Sequence, residues 1–414
     1  MSKMLIHRSY KTELNPNNAQ RTIFAKHAGV ARHAYNWGVA EVKKAMEAKE
    51  KIPSGFDLSK RLNAIKDEHF TWMRECSKNA PQYALRHVDL SFRNFFSNCR
   101  KKKTGQKIKA GFPRFKKKGE RDSFRFQCEP GFLVTEGRIL LPKIGWVRLK
   151  EHRYLPTGGV KFLSATVSRR ADRWYVSLAV QQEIPDTVNK PISVVGVDLG
   201  VKTLAVCSDG TVFESPRPLK KHLRRLKRLN RSLSRKKKGS KNRFKAKLKL
   251  SRLHLRVSNI RKDSLHKITT QLTKTKSRVV IEDLNVRGMV QNRKLSRAIS
   301  DMGFWEFRRQ LEYKGKWHGC EIVVAPRFFP SSKTCSKCGN VKDEMSMKDR
   351  TYVCECGLEL DRDLNAAINL SRVVDRQSET LNACGGTSPL AGTQVPVKRS
   401  LRSRKQASRQ GKKS

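Results

Sequence analysis

The chain has 414 residues, enough for two to three domains, and 37% of them are hydrophobic and available to a core. Lysine and arginine number 90 against 36 aspartates and glutamates, a net charge of +54. That field excludes an enzyme of small neutral substrates, because self-repulsion would loosen the compact state unless a polyanion neutralised it.

With 18 Phe, 6 Trp and 7 Tyr to stack on bases, the expected partner is nucleic acid. There is no run of about 18 apolar residues, and MSKMLIHRSYK lacks a signal-peptide pattern. No membrane role is expected, and the predicted location is cytoplasmic, with the nucleoid.

Residues 5–14 alternate as a strand, and Asn15-Pro16-Asn17 predicts a helix start, since Asn caps and Pro is tolerated in the first turn. That helix runs to about Lys49, and further helices are predicted over 58–69 and 80–99, giving a helical module at 16–100. Residues 101–118 read as a basic loop. From Asp122 to Glu183 the period switches to two, which predicts a small antiparallel β-barrel from 1–15 and 101–185, with the helical module inserted.

After a linker ending at Pro191, VVGVDLGVKTLAVCSDGTVFE predicts two strands. Leucines 219, 223, 226 and 233 then recur at helical spacing, and the pattern resumes from Phe244 to Leu272. No acidic residue occurs from Ser215 to Lys262. On a leucine-seamed helical hairpin, such a run predicts a folded, phosphate-facing surface rather than an ordinary solvated face. The strand RVVIEDLN, a helix over 296–317, the strand EIVVAP, a cysteine cluster and a helix from Arg362 to Val374 follow. Residues 375–414 lack apolar periodicity and are expected to form a disordered basic tail.

Three carboxylate sites stand at element boundaries. Asp198 ends one apolar strand, Glu282 ends another, and Asp361-Arg-Asp363 opens the last helix. A strand-end carboxylate alone is a turn former. Three of them in so basic a chain predict convergent ligands for Mg²⁺, which takes oxygen ligands and supports phosphodiester cleavage. Asp361 sits where a helix cap would be, so Asp363 is the better ligand candidate. The order strand-Asp, paired strand, helices, strand-Glu and helix-Asp is that of an RNase H-like α/β fold.

Cys335, Cys338, Cys354 and Cys356 crowd into 22 residues. The Cys-x2-Cys pair and its distance to the second pair predict a structural zinc site on all four thiolates. The second pair is one residue short of Cys-x2-Cys, so Cys354 and Cys356 require a tight turn, which Gly357 permits. A three-thiolate site completed by another group, or reduced thiols in a loop, are the other readings.

The motifs GVDLG, IEDLN and DRDLNAAINL resemble the three split motifs of a RuvC-type nuclease. With YNW (Tyr35–Trp37), GFPRFK (Gly111–Lys116), SFRF (Ser123–Phe126), TCSKCG (Thr334–Gly339) and CGLELDRDLNAAINL (Cys356–Leu370), the chain resembles the TnpB family over roughly residues 5–372. These are transposon-encoded (IS200/IS605-type) RNA-guided DNA endonucleases related to type V CRISPR effectors.

The resemblance implies a multidomain α/β chain: a wedge-like barrel (1–15 and 101–185), a helical recognition module (16–100), and a RuvC-like nuclease domain (191–330 and 359–374) with an inserted zinc ribbon (331–358). It implies cleavage of guide-complementary double-stranded DNA next to a short motif, with a guide RNA from the transposon end and a bacterial or archaeal host. Asp198, Glu282 and Asp363 would be catalytic. Lys78 and Gln82, one helical turn apart, resemble the residues that read the target-adjacent motif, although a solvated helix face interrupted by Pro81 explains them equally well. Two rival functions are a cleavage-inactive RNA-guided repressor, whose mark would be a degraded carboxylate set, and a transposase acting on element ends.

Overall fold

The computed structural model describes residues 3–128, 132–185, 193–346 and 349–373; the expected tail at 375–414 lies outside the described residues. Two sheets organise the chain. The first is antiparallel and takes strands β1 (Lys3–Asn15), β2 (Ser123–Gln127), β3 (Leu133–Val134), β4 (Arg138–Leu141), β5 (Gly145–Leu149), β6 (Val160–Arg170) and β7 (Arg173–Pro185) in the order β2-β6-β7-β1-β5-β4-β3. The period-two stretch therefore does pair with the N-terminal strand, in register from Lys3 opposite Pro185 to Leu14 opposite Trp174. The expected barrel is not closed by hydrogen bonds among the described residues: β2 and β3 are the two edges.

Helices close one face of this sheet instead. Helix α1 (Asn18–Glu47) starts at Asn17, whose side chain accepts from the Gln20 amide while Gln20 reaches back. Phe24 on α1 packs against Trp174 and Phe124, with ring centroids 5.1 and 5.9 Å away. Helix α2 (Gly55–His69) has the same kind of cap from Ser54 and Asp57, and α3 (Asn79–Lys103) runs beyond the sequence expectation into the basic loop.

His27 is buried between these parts. Its Nε2 accepts from the Ser77 amide at 3.1 Å, so its Nδ1 donates to the Ile23 carbonyl at 2.9 Å. Burial holds the ring neutral by lowering its pKa.

The second sheet has β8 (Val194–Asp198), β9 (Ala205–Cys207), β10 (Val212–Phe213), β11 (Arg278–Glu282) and β12 (Glu321–Ala325) in the order β10-β9-β8-β11-β12, so the predicted pair of strands is three. Strands β8, β11 and β12 are parallel and β9 is antiparallel to β8. Parallel strands are covered on both faces, which is why they read as VVGV and RVVI without alternation.

Val195, Val197, Val279 and Ile281 pack with Leu265, Ile268 and Leu272 of the long helix described next, and with Phe304, Phe307 and Leu311 of a later one. Helices α4 (Pro218–Ser234) and α5 (Lys241–Thr275) form the predicted hairpin, seamed by Leu226, Leu250 and Leu253, with Leu229 in the packed row in place of Leu223. After a one-turn helix α6 (Val286–Met289), the single helix expected over 296–317 is two, α7 (Ser296–Met302) and α8 (Phe304–His318), broken at Gly303. A hairpin of β13 (Thr351–Val353) and β14 (Glu359–Asp361) leads into α9 (Arg362–Ser371).

One buried charge ties the basic hairpin down. Helix α4 has no side-chain cap of its own. Asp301 of α7, only 3% exposed, accepts from the Leu219 and Lys220 amides at 2.9 and 3.2 Å and pairs with Arg261 of α5 at 2.8 Å. Asp301→Ala is therefore expected to destabilise the chain by roughly 3 kcal/mol, a lost cap together with a stranded partner charge. Asp301→Asn, which still accepts from the amides, should lose less. Denaturant midpoints of the two variants check this, and equal losses would refute the capping role.

Candidate functional site

The parallel register determines where the strand-end acids emerge. Val197 lies opposite Ile281, so Asp198 and Glu282 leave the same edge of the sheet side by side. The third acid, Asp363, is in the first turn of α9, which packs across β8. The crossing is close because position 196 is glycine: a Cβ there would sit 2.0 Å from the Ala367 carbonyl oxygen.

Burial, then the charges of Glu282 and Asp363, pushes the Asp198 carboxyl up to about 8. A cation bound there would favour the ionised form of Asp198. The three acids are nonetheless not drawn as tightly together as the thiols. Among the described residues, the cysteines are the group of possible ligands whose atoms all lie within 4.8 Å of one another. Acids set apart in this way would leave room in a Mg²⁺ shell for waters and substrate phosphates.

The neighbouring acids have other partners. Asp361 Oδ1 accepts from the amides of Asp363 and Leu364 at 2.9 and 3.1 Å, which makes Asp361 the cap of α9. Asp283 pairs with Arg308 at 2.7 Å and Arg327 at 2.5 Å, and these hydrogen bonds hold its carboxyl below the usual range. Around the site, Ser331 donates to Glu282 at 2.5 Å and Arg362 donates to Asp363 at 3.2 Å.

The four cysteines meet at the turns flanking β13 and β14. The Sγ atoms of Cys335 and Cys356 are 3.6 Å apart, as are those of Cys338 and Cys354. Four sulfurs at ~2.3 Å from a zinc would stand ~3.8 Å from one another, so the quartet has the size of a tetrahedral thiolate site. Cys354 and Cys356 do occupy a tight turn, in which Gly357 takes φ +82° and donates to the Cys354 carbonyl at 2.9 Å.

Two buried asparagines join this cluster to α9. Asn365 donates to the Thr334 carbonyl at 2.8 Å and accepts from the Ser336 amide at 2.9 Å, while Asn369 donates to the carbonyls of Ser331 and Thr334. Sequence reasoning missed these residues and Asp301. The only available signal was the i, i+4 spacing of two asparagines inside DLNAAINL, where polar residues face inward.

Asn36 and Lys116 have structural roles. Asn36 brackets Lys116 with two hydrogen bonds, donating at 3.0 Å and accepting at 2.7 Å, and Lys116 Nζ lies 3.9 Å from the Tyr35 ring centroid, which docks the basic loop on α1. Lys78 just precedes α3 and Gln82 lies near its start, both exposed. Pro81 falls in the first turn, where its missing N–H breaks nothing. On the hairpin, Arg224, Arg228, Arg231 and Arg235 line a cleft of about 850 Å³.

A family model described as "Probable transposase" (OrfB_IS605) matches residues 177–293, a "Cas12f1-like, TNB domain" model matches 304–370, and a "Helix-turn-helix domain" model matches 4–51, a span that here is a strand and one long helix. A relative from Escherichia coli (strain K12), named "Putative RNA-guided DNA endonuclease InsQ", is 35% identical over 91% of this chain and 94% of its own length. Another, "Putative RNA-guided DNA endonuclease MT2953" from Mycobacterium tuberculosis (strain CDC 1551 / Oshkosh), is 38% identical over 88% of this chain and 86% of its own.

The fold is similar to that of a solved Cas12f1 in a complex with sgRNA and target DNA, at a TM-score of 0.54 and 19% identity, covering 86% of this chain and 83% of that one. No helix among the described residues is long and apolar enough to cross a membrane. With relatives above 30% identity along almost their whole length, and a transposase-family model over residues 177–293, the chain belongs to the TnpB family.

Proposed function

We propose that this chain is an RNA-guided DNA endonuclease of a transposable element, cutting guide-complementary DNA beside a short motif, in the nucleoid of a bacterial or archaeal cell. The observation that carries the reading is the convergence of Asp198, Glu282 and Asp363 at one edge of a parallel sheet, within a family whose relatives bear that name. The second sheet with its helices is the RNase H-like, RuvC-type nuclease domain, and residues 331–358 are a zinc ribbon within it. The first sheet is the wedge, and α1–α3 are the recognition module, with Lys78 and Gln82 as its motif-reading pair. Four thiolates close a zinc shell, so that site is structural.

Asp198, Glu282 and Asp363 would hold Mg²⁺. Bound there, the ion supplies an activated water and stabilises the leaving oxygen. The chain's own residues do the rest. Ser331 fixes one oxygen of Glu282, Arg362 orients Asp363, and the Asp361 cap holds the first turn of α9 in place. Arginines of the α4 cleft grip phosphates of the guide.

The test is to sequence the RNA that copurifies with the chain and to offer DNA matching it. Cleavage is expected with Mg²⁺ and none with a chelator. Affinity for that RNA should fall with salt at a log–log slope of about −0.7 to −0.9 per phosphate neutralised. Cutting of element ends without RNA would overturn the reading in favour of a transposase. RNA-dependent binding with no cutting would favour a repressor.

A further inference from the structure

Beside the carboxylates, between the end of β11 and helix α8, lies a groove of about 420 Å³. Its edge nearest the site is Glu282, and Leu199, the residue after Asp198, also lines it. Its apolar lining includes Leu284 and Phe304, and Phe304 is almost fully buried. On the same lining stands Trp305, a residue 64% exposed. Arg309 lies 5.9 Å from the centroid of that ring.

The charges show what the groove is for. The α4 cleft is lined by arginines and lysines from a stretch with no acid, as a phosphate-binding surface should be. In this groove, three of the four lining arginines are already held by carboxylates: Arg308 by Asp283 and Glu312, Arg309 by Glu306, and Arg327 by Asp283. A slot whose arginines are mostly paired, with an apolar part to its lining and an exposed aromatic ring, suits a flat, uncharged, aromatic ligand. Next to the acids that would cut DNA, that ligand is a nucleobase. A paired base offers only its edge to a protein, so a stacking ring can engage it only once the strand is unpaired.

We propose that this groove holds one unpaired base of the DNA strand being cut, stacked on Trp305, and so positions the adjoining phosphate at Asp198, Glu282 and Asp363. The proposal rests on the nuclease reading above and goes beyond it by assigning a base-holding subsite and its positioning residue. Holding the base removes the motion of a nucleotide that would otherwise swing about its backbone, so the effect should fall on cutting rather than on target binding.

The test uses the complex of chain, copurified RNA and matching DNA. Trp305 is exposed, so Trp305→Ala should fold normally. It should slow cleavage about 5- to 150-fold, the ~1–3 kcal/mol of one stacked base, with RNA and target affinity unchanged. Trp305→Phe, which keeps an aromatic face, should restore most of the rate.

Abasic residues placed singly along the cut strand should reveal one position that slows the wild-type chain and leaves Trp305→Ala no slower than it already is. Wild-type cutting by Trp305→Ala would overturn the groove assignment, as would an abasic penalty of equal size in both proteins. A variant that loses guide RNA instead would assign the groove to RNA and overturn it too. If the wild-type chain cuts no RNA-matched DNA, the nuclease reading itself fails, which is a different result from an intact rate in the variant.

Discussion

Asp363→Ala is expected to abolish DNA cleavage while leaving guide-RNA and target binding intact, and Asp198→Ala and Glu282→Ala should do the same. The loss should exceed the ~10–100-fold that follows removal of a group acting through a metal ligand, because each of these acids is proposed as a ligand itself. Binding survives because affinity comes from the basic surfaces and from base pairing, neither of which involves these acids.

The adjacent acid separates the roles. Asp361 Oδ1 caps α9 through two amides, so Asp361→Ala should lower stability by about 0.5–2 kcal/mol and keep much of the activity. Asp361→Asn caps as well without the charge and should cut nearly as wild type. Cleavage assays beside thermal melts of these five variants and of Asp363→Asn check the assignment. Loss of cutting in Asp361→Asn with retention in Asp363→Asn would show the pair to be reversed.

Removal of the metal from the cysteine quartet should have the second-largest effect, and it should reach the cutting site. One zinc per chain is expected by elemental analysis, and Cys335→Ser or Cys354→Ser should lower both zinc content and stability. Among the described residues, the core packed around the thiols is Tyr352, with Met345 and Leu358 alongside. A site that binds zinc only when folded lends its binding energy to the fold.

Loosening it would release Thr334 and Ser336 from Asn365 and Asn369, and Ser331 from Glu282, so cleavage should fall along with zinc. Limited proteolysis within 331–358 provides a readout independent of activity. Cys356→Ser is the sharpest variant, since Cys356 belongs to the shortened pair. Undiminished zinc affinity there would mean that another group completes the shell.

Much of this was legible in the sequence, for reasons that are local. Strands covered on both faces must be apolar throughout, so VVGV and RVVI read as buried strands, and the acids ending them marked where they stop. Cap chemistry is read within three residues, which is why Asn17 and Asp361 could be placed as helix starts. Cysteine spacing predicted a cluster because a short loop limits how far four thiols can separate, and the structure brings them together.

Only the tertiary structure decided the rest, because contacts between distant segments leave no periodic trace. Asp301 caps a helix 82 residues before it, and nothing near Leu219 announces a missing cap being supplied from elsewhere. The two asparagines of α9 reach the cysteine loop 31 to 38 residues upstream. Whether alternating strands form a closed barrel or an open sheet depends on the pairing of edges, which alternation does not encode, and here β2 and β3 are left as edges. That Trp305 points into open space beside Glu282 follows from how α8 packs on the sheet: helical spacing alone would have placed a tryptophan in that stretch in the core as readily as on the surface.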